Sequence, residues 1–279
     1  MKIDIICPLY NAEEYIDDFH KNLLKQTIKI NKINYILTEG KDNTEKYLKD
    51  NKINYKKIKK EEFSHSLVRE KAAYNSKADI IVFVTQDIDI RNDDWLEKLI
   101  KPIETGEAVA TYSRQLTKYN NLEKYTRENN YPSKSKTQSK KDIKQTGLKT
   151  FFFSDAASAI KRDTFIELNG YDGKNLPISE DMYIAYKIIM KGYKIKYCAD
   201  SIVYHSHKFT LKELYERYRL TGKFFKENSY LDKYGTTGSG ASLAKYILKR
   251  IIQDKNFKLL FRYPFDMGAR FLGMKAGKR

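Results

Sequence analysis

The chain has 279 residues, of which 41% are hydrophobic, 32% charged and 13% aromatic. Lys+Arg 53 against Asp+Glu 36 leaves a formal net charge of +17, which favours polyanions: nucleic acid, an anionic membrane surface or phosphorylated substrates. Only Cys7 and Cys198 are present, too few for a disulfide framework, and no apolar run approaches the ~18 residues of a membrane-crossing helix.

Taken in chain order, strand and helix signals alternate through the first hundred residues. The opening "MKIDIICPLYNAEE" has too short an apolar run for a signal peptide, so a reduced, cytoplasmic protein is expected. Lys2–Cys7 reads as a strand, and Asn11–Gln26 carries apolar residues at helical spacing with Asn11 as N-cap. Ile33–Thr38 is the next strand, followed by the turn "EGKDNT" and a helix from Thr44. "NYKKI" is a weaker third strand, Ser66–Lys77 is helical, and Asp79–Thr85 is the most hydrophobic strand of this half. Such alternation predicts right-handed crossovers and a mostly parallel sheet, with ligands outside the carboxyl ends of the strands.

The segment Lys118–Lys149 is polar and rich in Lys and Asn, and reads as a mobile excursion. Thr150–Ile160 resumes strand character. Ser179–Gly192 reads as a helix with Ser179 as N-cap, acids in its first turn and Gly192 just past its end. Tyr193–Cys198 and Ser201–His205 read as two short strands. From Leu211 the pattern is helical, with a Gly/Thr/Ser break at Tyr234–Ser242. The expected domains are therefore 1–233, in halves 1–115 and 116–233, and an appendage 234–279. From Ala241 onward ten Lys/Arg stand against Asp254 and Asp266, interleaved with aromatic and aliphatic residues. That composition suits either a helix on an anionic membrane surface or a helical cap.

Asp87 lies just past the end of the Asp79–Thr85 strand, and Asp89 shares its face at i, i+2. Paired carboxylate oxygens suit Mg²⁺ or Mn²⁺ together with substrate phosphates; a solvated turn would look the same. Glu180 and Asp181 open a helix, where acids complement the dipole and where a carboxylate could also act as a general base. His205 and His207, at i, i+2 near a strand end, offer a third metal ligand or a donor to a diphosphate.

In this order, "CPLYNAEEYI", "ILTEGKDNT", "FSHSLVREKAA", "TQD", "NGYDGKNLPISED" and "IVYHSH" resemble the family 2 inverting glycosyltransferases. They look most like the bacterial rhamnosyltransferase branch, over about Lys2–Phe225. The resemblance implies the GT-A fold, a nucleotide-diphosphate sugar donor, a divalent metal, and transfer with inversion. It implies that Pro8, Tyr10 and Asn11 lie near the nucleotide and that Glu39 contacts the base. Arg69 would stand by the donor pyrophosphate, and Gln86 and Asp87 at the metal site with Asp89 as an extra acid. His205 and His207 would complete that region. Asp181 would be the general base, with Glu180 and Ser158 on the acceptor side. Thr38 and Thr85 occupy positions where the family carries acids, so a looser base contact and a looser metal dependence are expected.

The function so implied is transfer of L-rhamnose from dTDP-rhamnose to a glycan or lipid-linked saccharide in bacterial surface polysaccharide synthesis. A UDP-hexose donor is the second choice. The site of action would be the inner face of the cell membrane, and a homo-oligomer is allowed. A basic nucleic-acid-binding protein is the rival from composition, but no Arg/Gly-rich run, recognition motif or zinc knuckle supports it. A glycosyltransferase fold retained without activity is the third reading.

Overall fold

The computed structural model describes the backbone of residues 1–279 and the side chains of all but 236–239. The chain forms two compact units. The first comprises Met1–Gln115, Ser133–Lys140 and Phe151–His205; the second comprises Leu116–Pro132, Lys141–Thr150 and Ser206–Arg279.

Among the described residues the first unit is built on one nine-stranded sheet. Its strands are β1 (Ile3–Leu9), β2 (Lys32–Thr38), β3 (Tyr55–Ile58), β4 (Ile80–Val84), β5 (Ile88–Asp89), β6 (Ala110–Leu116), β7 (Lys136–Gln138), β8 (Ala157–Lys161) and β9 (Ile195–His205). They lie in the order β3-β2-β1-β4-β8-β6-β9-β5, with β7 on β9. The first four run parallel, with Ile5 opposite both Ile33 and Val82. β1 and β4 are apolar along their length because both faces are covered. Ile5, Val82, Trp95 and Leu99 belong to one continuous core. β8 then joins β4 antiparallel, Val82 opposite Ala159, and β6 joins β8 the same way.

Several local expectations change. Asn11 does not cap a helix: it sits at φ 46 and the helix begins at Ile16. Of Thr150–Ile160 only the end is strand, since residues 147–151 form a 3₁₀ turn and β8 starts at Ala157. The two short strands near residue 200 are one, β9, whose exposed Asp200 interrupts the apolar pattern without breaking the ladder. Ser179 stands at the N-cap position, but at φ 62 and with no cap bond from its side chain.

The second unit takes in more chain than the appendage 234–279 expected from composition. The supposed excursion 118–149 contributes the helix Leu122–Asn130, whose Leu122 and Tyr125 form a core with Ile247 and Ile251. Helices Leu211–Glu227 and Lys258–Lys278 pack so closely that a Cβ on Gly222 would strike the Met274 carbonyl, and one on Gly273 the Tyr215 carbonyl. Arg270 is buried there against Glu123 (2.6 Å), Asp266 (3.2 Å) and the Tyr218 hydroxyl (2.7 Å). The break expected across Tyr234–Ser242 narrows to Gly235 at φ 88, after which a helix runs Thr236–Gln253. No helix among the described residues is long and apolar enough to cross a membrane.

Candidate active site

In the parallel half the chain runs from β1 outward to β2 and β3, then crosses to β4 on the other side of β1. That reversal leaves a crevice at the carboxyl ends of β1 and β4, the usual ligand position in such sheets. Pro8 lies in β1 beside Ile36, beyond the last β1–β4 pair, Ile6 and Phe83, so its missing N–H costs the sheet no bond to β4. Just past the strand, Tyr10 is clamped by Gln86 of the β4 loop. The Tyr10 amide donates to Gln86 Oε1 (2.7 Å) and Gln86 Nε2 donates to the Tyr10 carbonyl (2.8 Å). The Gln86 amide thus copies a backbone bond between the two loops.

The loops after β1 and β2 are laced together. Asn11 Oδ1 accepts from the Lys41 amide (3.1 Å), and a Cβ on Gly40 would overlap that same oxygen. Only glycine admits this approach. Asp42 accepts from the Glu13 amide (2.8 Å), and Glu13 accepts from Asn43 Nδ2 (2.7 Å). Asn11, Glu13, Glu14, Lys41 and Asp42 line an open cavity of about 340 Å³. Glu39 is exposed at the end of β2, its amide bonded to the Ile58 carbonyl, while neighbouring Thr38 is buried.

Asp87 meets His205. Strand register produces this: Ile88 of β5 stands opposite His205 of β9, so the residue before Ile88 falls beside the imidazole. The carboxylate lies 3.2 Å from His205 Nε2, with side-chain exposures of 25% and 12%. On the far side of the ring, His205 Nδ1 is 2.9 Å from Gln115 Oε1. Gln115 Nε2 donates to Ser154 Oγ (2.8 Å). With the hydrogen on Nδ1 toward Gln115, Nε2 would present a lone pair to the carboxylate, and a proton or a metal ion would be needed between or on the two acceptors. The carboxylate fits Mg²⁺ or Mn²⁺ completed by phosphate oxygens, and the imidazole nitrogen favours Mn²⁺ over the harder Mg²⁺.

Asp89 does not join this pair. Arg91 Nε donates to it at 2.9 Å, and the Arg91 Cζ lies 3.9 Å from the centre of the Tyr204 ring. His207 belongs to the second unit, where its ring stacks on Phe209 at 4.9 Å and its carbonyl accepts from Asn121 Nδ2.

The expected donor-side Arg69 and the acceptor-side residues are tied together. Arg69 is only 1% exposed. Its guanidinium donates to Glu180 Oε1 (3.1 Å) and to the His65 carbonyl (3.0 Å). Nearby Glu180 raises its pKa against the lowering effect of burial. Glu180 is thereby buried in an ion pair. Ser158 is fully buried in β8 and donates to Asp155 (2.9 Å), because its strand is sandwiched between β4 and β6. Of the acid pair, Asp181 alone is half-buried, with Oδ1 accepting from the Met182 amide (2.7 Å).

One helix, His65–Asn75, holds the loop that leads to Asp181. Ser66 Oγ donates to the Lys174 carbonyl (2.6 Å) and accepts from the Leu176 amide (2.9 Å). Glu70 accepts from the Tyr171 amide (2.6 Å), and Arg69 takes Glu180. Asp155 escaped the sequence reading. It is buried and accepts from the Tyr171 hydroxyl (2.7 Å) and Ser158, and burial pushes its pKa up to about 6 against the pull of Arg69. Gln115, the partner of His205 Nδ1, was also missed. An amide in a strand gives no signal of its own.

A family model described as Glycosyl transferase family 2 matches residues 4–168. The chain is 34% identical over 284 residues to the O-antigen chain rhamnosyltransferase RfbN of Salmonella typhimurium, covering 100% of this chain and 90% of that protein. It is 33% identical over 281 residues to the O-antigen chain rhamnosyltransferase WbaN of Salmonella anatum, covering 98% and 88%. Among solved structures, the mannosyltransferase PcManGT of Pyrobaculum calidifontis, in complex with GDP-Man and Mn²⁺, aligns with a TM-score of 0.66 at 13% identity. That alignment covers 99% of this chain and 86% of the other. S. aureus TarS 1-349 aligns at 0.55 and 15% identity, covering 99% and 91%.

Proposed function

The chain belongs to glycosyl transferase family 2, and from that premise we propose that it moves L-rhamnose from dTDP-rhamnose onto a growing or lipid-linked glycan of a surface polysaccharide. The observation that carries the donor assignment is the near full-length similarity to two O-antigen chain rhamnosyltransferases. A lipid-linked acceptor puts the work at the inner face of the cell membrane.

Inversion needs an acceptor hydroxyl to attack the anomeric carbon opposite the leaving diphosphate while it loses its proton. Asp181 takes that proton. Its neighbour Glu180 is committed to Arg69, and Asp181 is the half-buried carboxylate of the pair. Tyr10 and Asn11, fixed by Gln86 and Lys41, shape the nucleotide end of the crevice. Asp87 and His205 would hold a divalent cation; His207 stays a candidate by its place two residues further along the chain. Bound there, Mg²⁺ or Mn²⁺ would supply positive charge to the departing diphosphate.

The test is thermal unfolding of the chain with dTDP, UDP and GDP, with and without Mn²⁺, followed by a transfer assay. dTDP at a hundredfold over its Kd should add about 2.7 kcal/mol, and Asp87→Asn should remove the Mn²⁺-dependent part of the shift. Asp181→Asn should keep the nucleotide shift and lower transfer by about 10²–10⁴-fold. A shift with UDP alone would replace the donor. Undiminished transfer by a folded Asp181→Asn variant would remove the base.

A further inference from the structure

The helix Lys258–Lys278 buries one face within the second unit through Asp266, Arg270 and Gly273. The opposite stripe is Lys258, Phe261, Phe265, Leu272 and Lys275, spaced by three, four and seven residues and so on one side of the helix. Phe261 is 83% exposed, Phe265 64% and Leu272 57%, and Phe257 at the helix entry is 56% exposed. Isolated apolar side chains on a surface are ordinary, but a contiguous aromatic stripe marks an interaction site.

Charge decides the occupant. The apolar middle spans roughly 16 Å of helix and has an exposed lysine at each end. The helix's one acid, Asp266, is buried against Arg270 at 3.2 Å. The exposed face of this helix is therefore apolar and positive. A second copy pairing face to face would bring lysines against lysines. An anionic bilayer offers what the face lacks: hydrocarbon for the rings, and headgroup phosphates that lysine stems reach along the apolar surface.

We infer that this stripe docks the chain on an anionic lipid bilayer, with the helix Lys258–Lys278 in the plane of the interface. The inference deepens the proposed function, since it rests on that reading for why a membrane is the partner, but it is measured without turnover, so either can fail alone.

The experiment is flotation of the full chain with phosphatidylcholine vesicles, with and without phosphatidylglycerol, at low salt. The chain should float with the anionic vesicles. Lys258→Gln with Lys275→Gln should weaken partitioning by roughly fivefold per cation. Phe261→Ser with Phe265→Ser should weaken it by about tenfold or more. Both variants should keep the nucleotide-induced thermal shift, which reports on the first unit. The proposal is overturned if the wild-type chain stays with the unbound fraction on anionic vesicles. It is equally overturned if both variants float like wild type, or if sedimentation shows a dimer that the phenylalanine variant dissociates.

Discussion

Asp155 lies inside the first unit, away from water, and burial is the strongest influence on it, lifting its pKa from the ordinary 3.8 to about 6. Arg69 opposes that rise, and Glu180 adds to it. A raised carboxyl pKa means that the folded chain binds more protons than the unfolded chain between the two values. Stability from this group is therefore greatest below about 3.8 and falls as pH rises to about 6, after which the loss is constant. The size is of order 3 kcal/mol. Asp155→Asn keeps an acceptor for the Tyr171 hydroxyl and removes the charge. Measured as melting temperature against pH, wild type should lose stability relative to the variant across that window and gain nothing back at neutrality. A wild type that instead gains on the variant as pH rises would mean that Arg69 outweighs burial. Asp87 stood out in the sequence because it follows an apolar strand directly and falls within the ordered motifs of the resemblance. Asp155 did not, because its partners Arg69 and Tyr171 arrive from distant segments and an acid within "FFFSDAAS" has no period to mark it.

At the scale of elements, the alternating strands and helices of the first hundred residues were readable because the central strands β1 and β4 are buried on both faces and a helix such as Ile16–Leu24 buries one apolar side. The antiparallel half was less so: β8 finds β4 across a long stretch of sequence, and no local signal encodes that pairing. The helix His65–Asn75 shows what such long-range contacts do. Its Ser66, Arg69 and Glu70 each hold a different point of the segment from Tyr171 to Glu180, and Asp181, the proposed general base, follows directly. The resemblance implies a place for Arg69 by the pyrophosphate; its burial and its bond to Glu180 also make it an anchor of that segment. Arg69→Met leaves Glu180 buried without its countercharge and should cost about 3–5 kcal/mol. Arg69→Met combined with Glu180→Met should cost less than the two single changes together, because the stranded charge is gone. Urea unfolding of the four proteins gives the coupling directly. Additive costs would mean that the two side chains act independently and that something else holds the loop.

Across the whole molecule, charge is distributed unevenly. Residues 241–279 carry ten Lys/Arg against two acids, while in the first unit Glu13, Glu14 and Asp42 line an open cavity and Asp87 stands beside His205. Composition alone could not separate a chain that binds nucleic acid from one that binds a nucleotide sugar, since both ligands are anionic. The ordered motifs did, by placing acids at strand ends where a long polyanion would be repelled and where a metal-bound diphosphate fits. The extent of the second unit stayed hidden for a different reason: its close helix contact depends on Gly222 and Gly273, whose use is visible only once both backbones are in place. The two kinds of anion also separate experimentally by salt. Contacts with a duplex release counterions, so log affinity should fall steeply with log salt, with a slope of about −0.9 per phosphate contacted. An acid-lined crevice contacts one diphosphate through few groups, so its nucleotide shift should change little over the same range. Duplex DNA binding measured by anisotropy should therefore be present at low salt and lost by about 0.2 M, with the dTDP shift surviving at that salt. Nanomolar duplex binding that persists there, with no nucleotide shift, would make the basic surface the protein's business and the crevice a relic of its family.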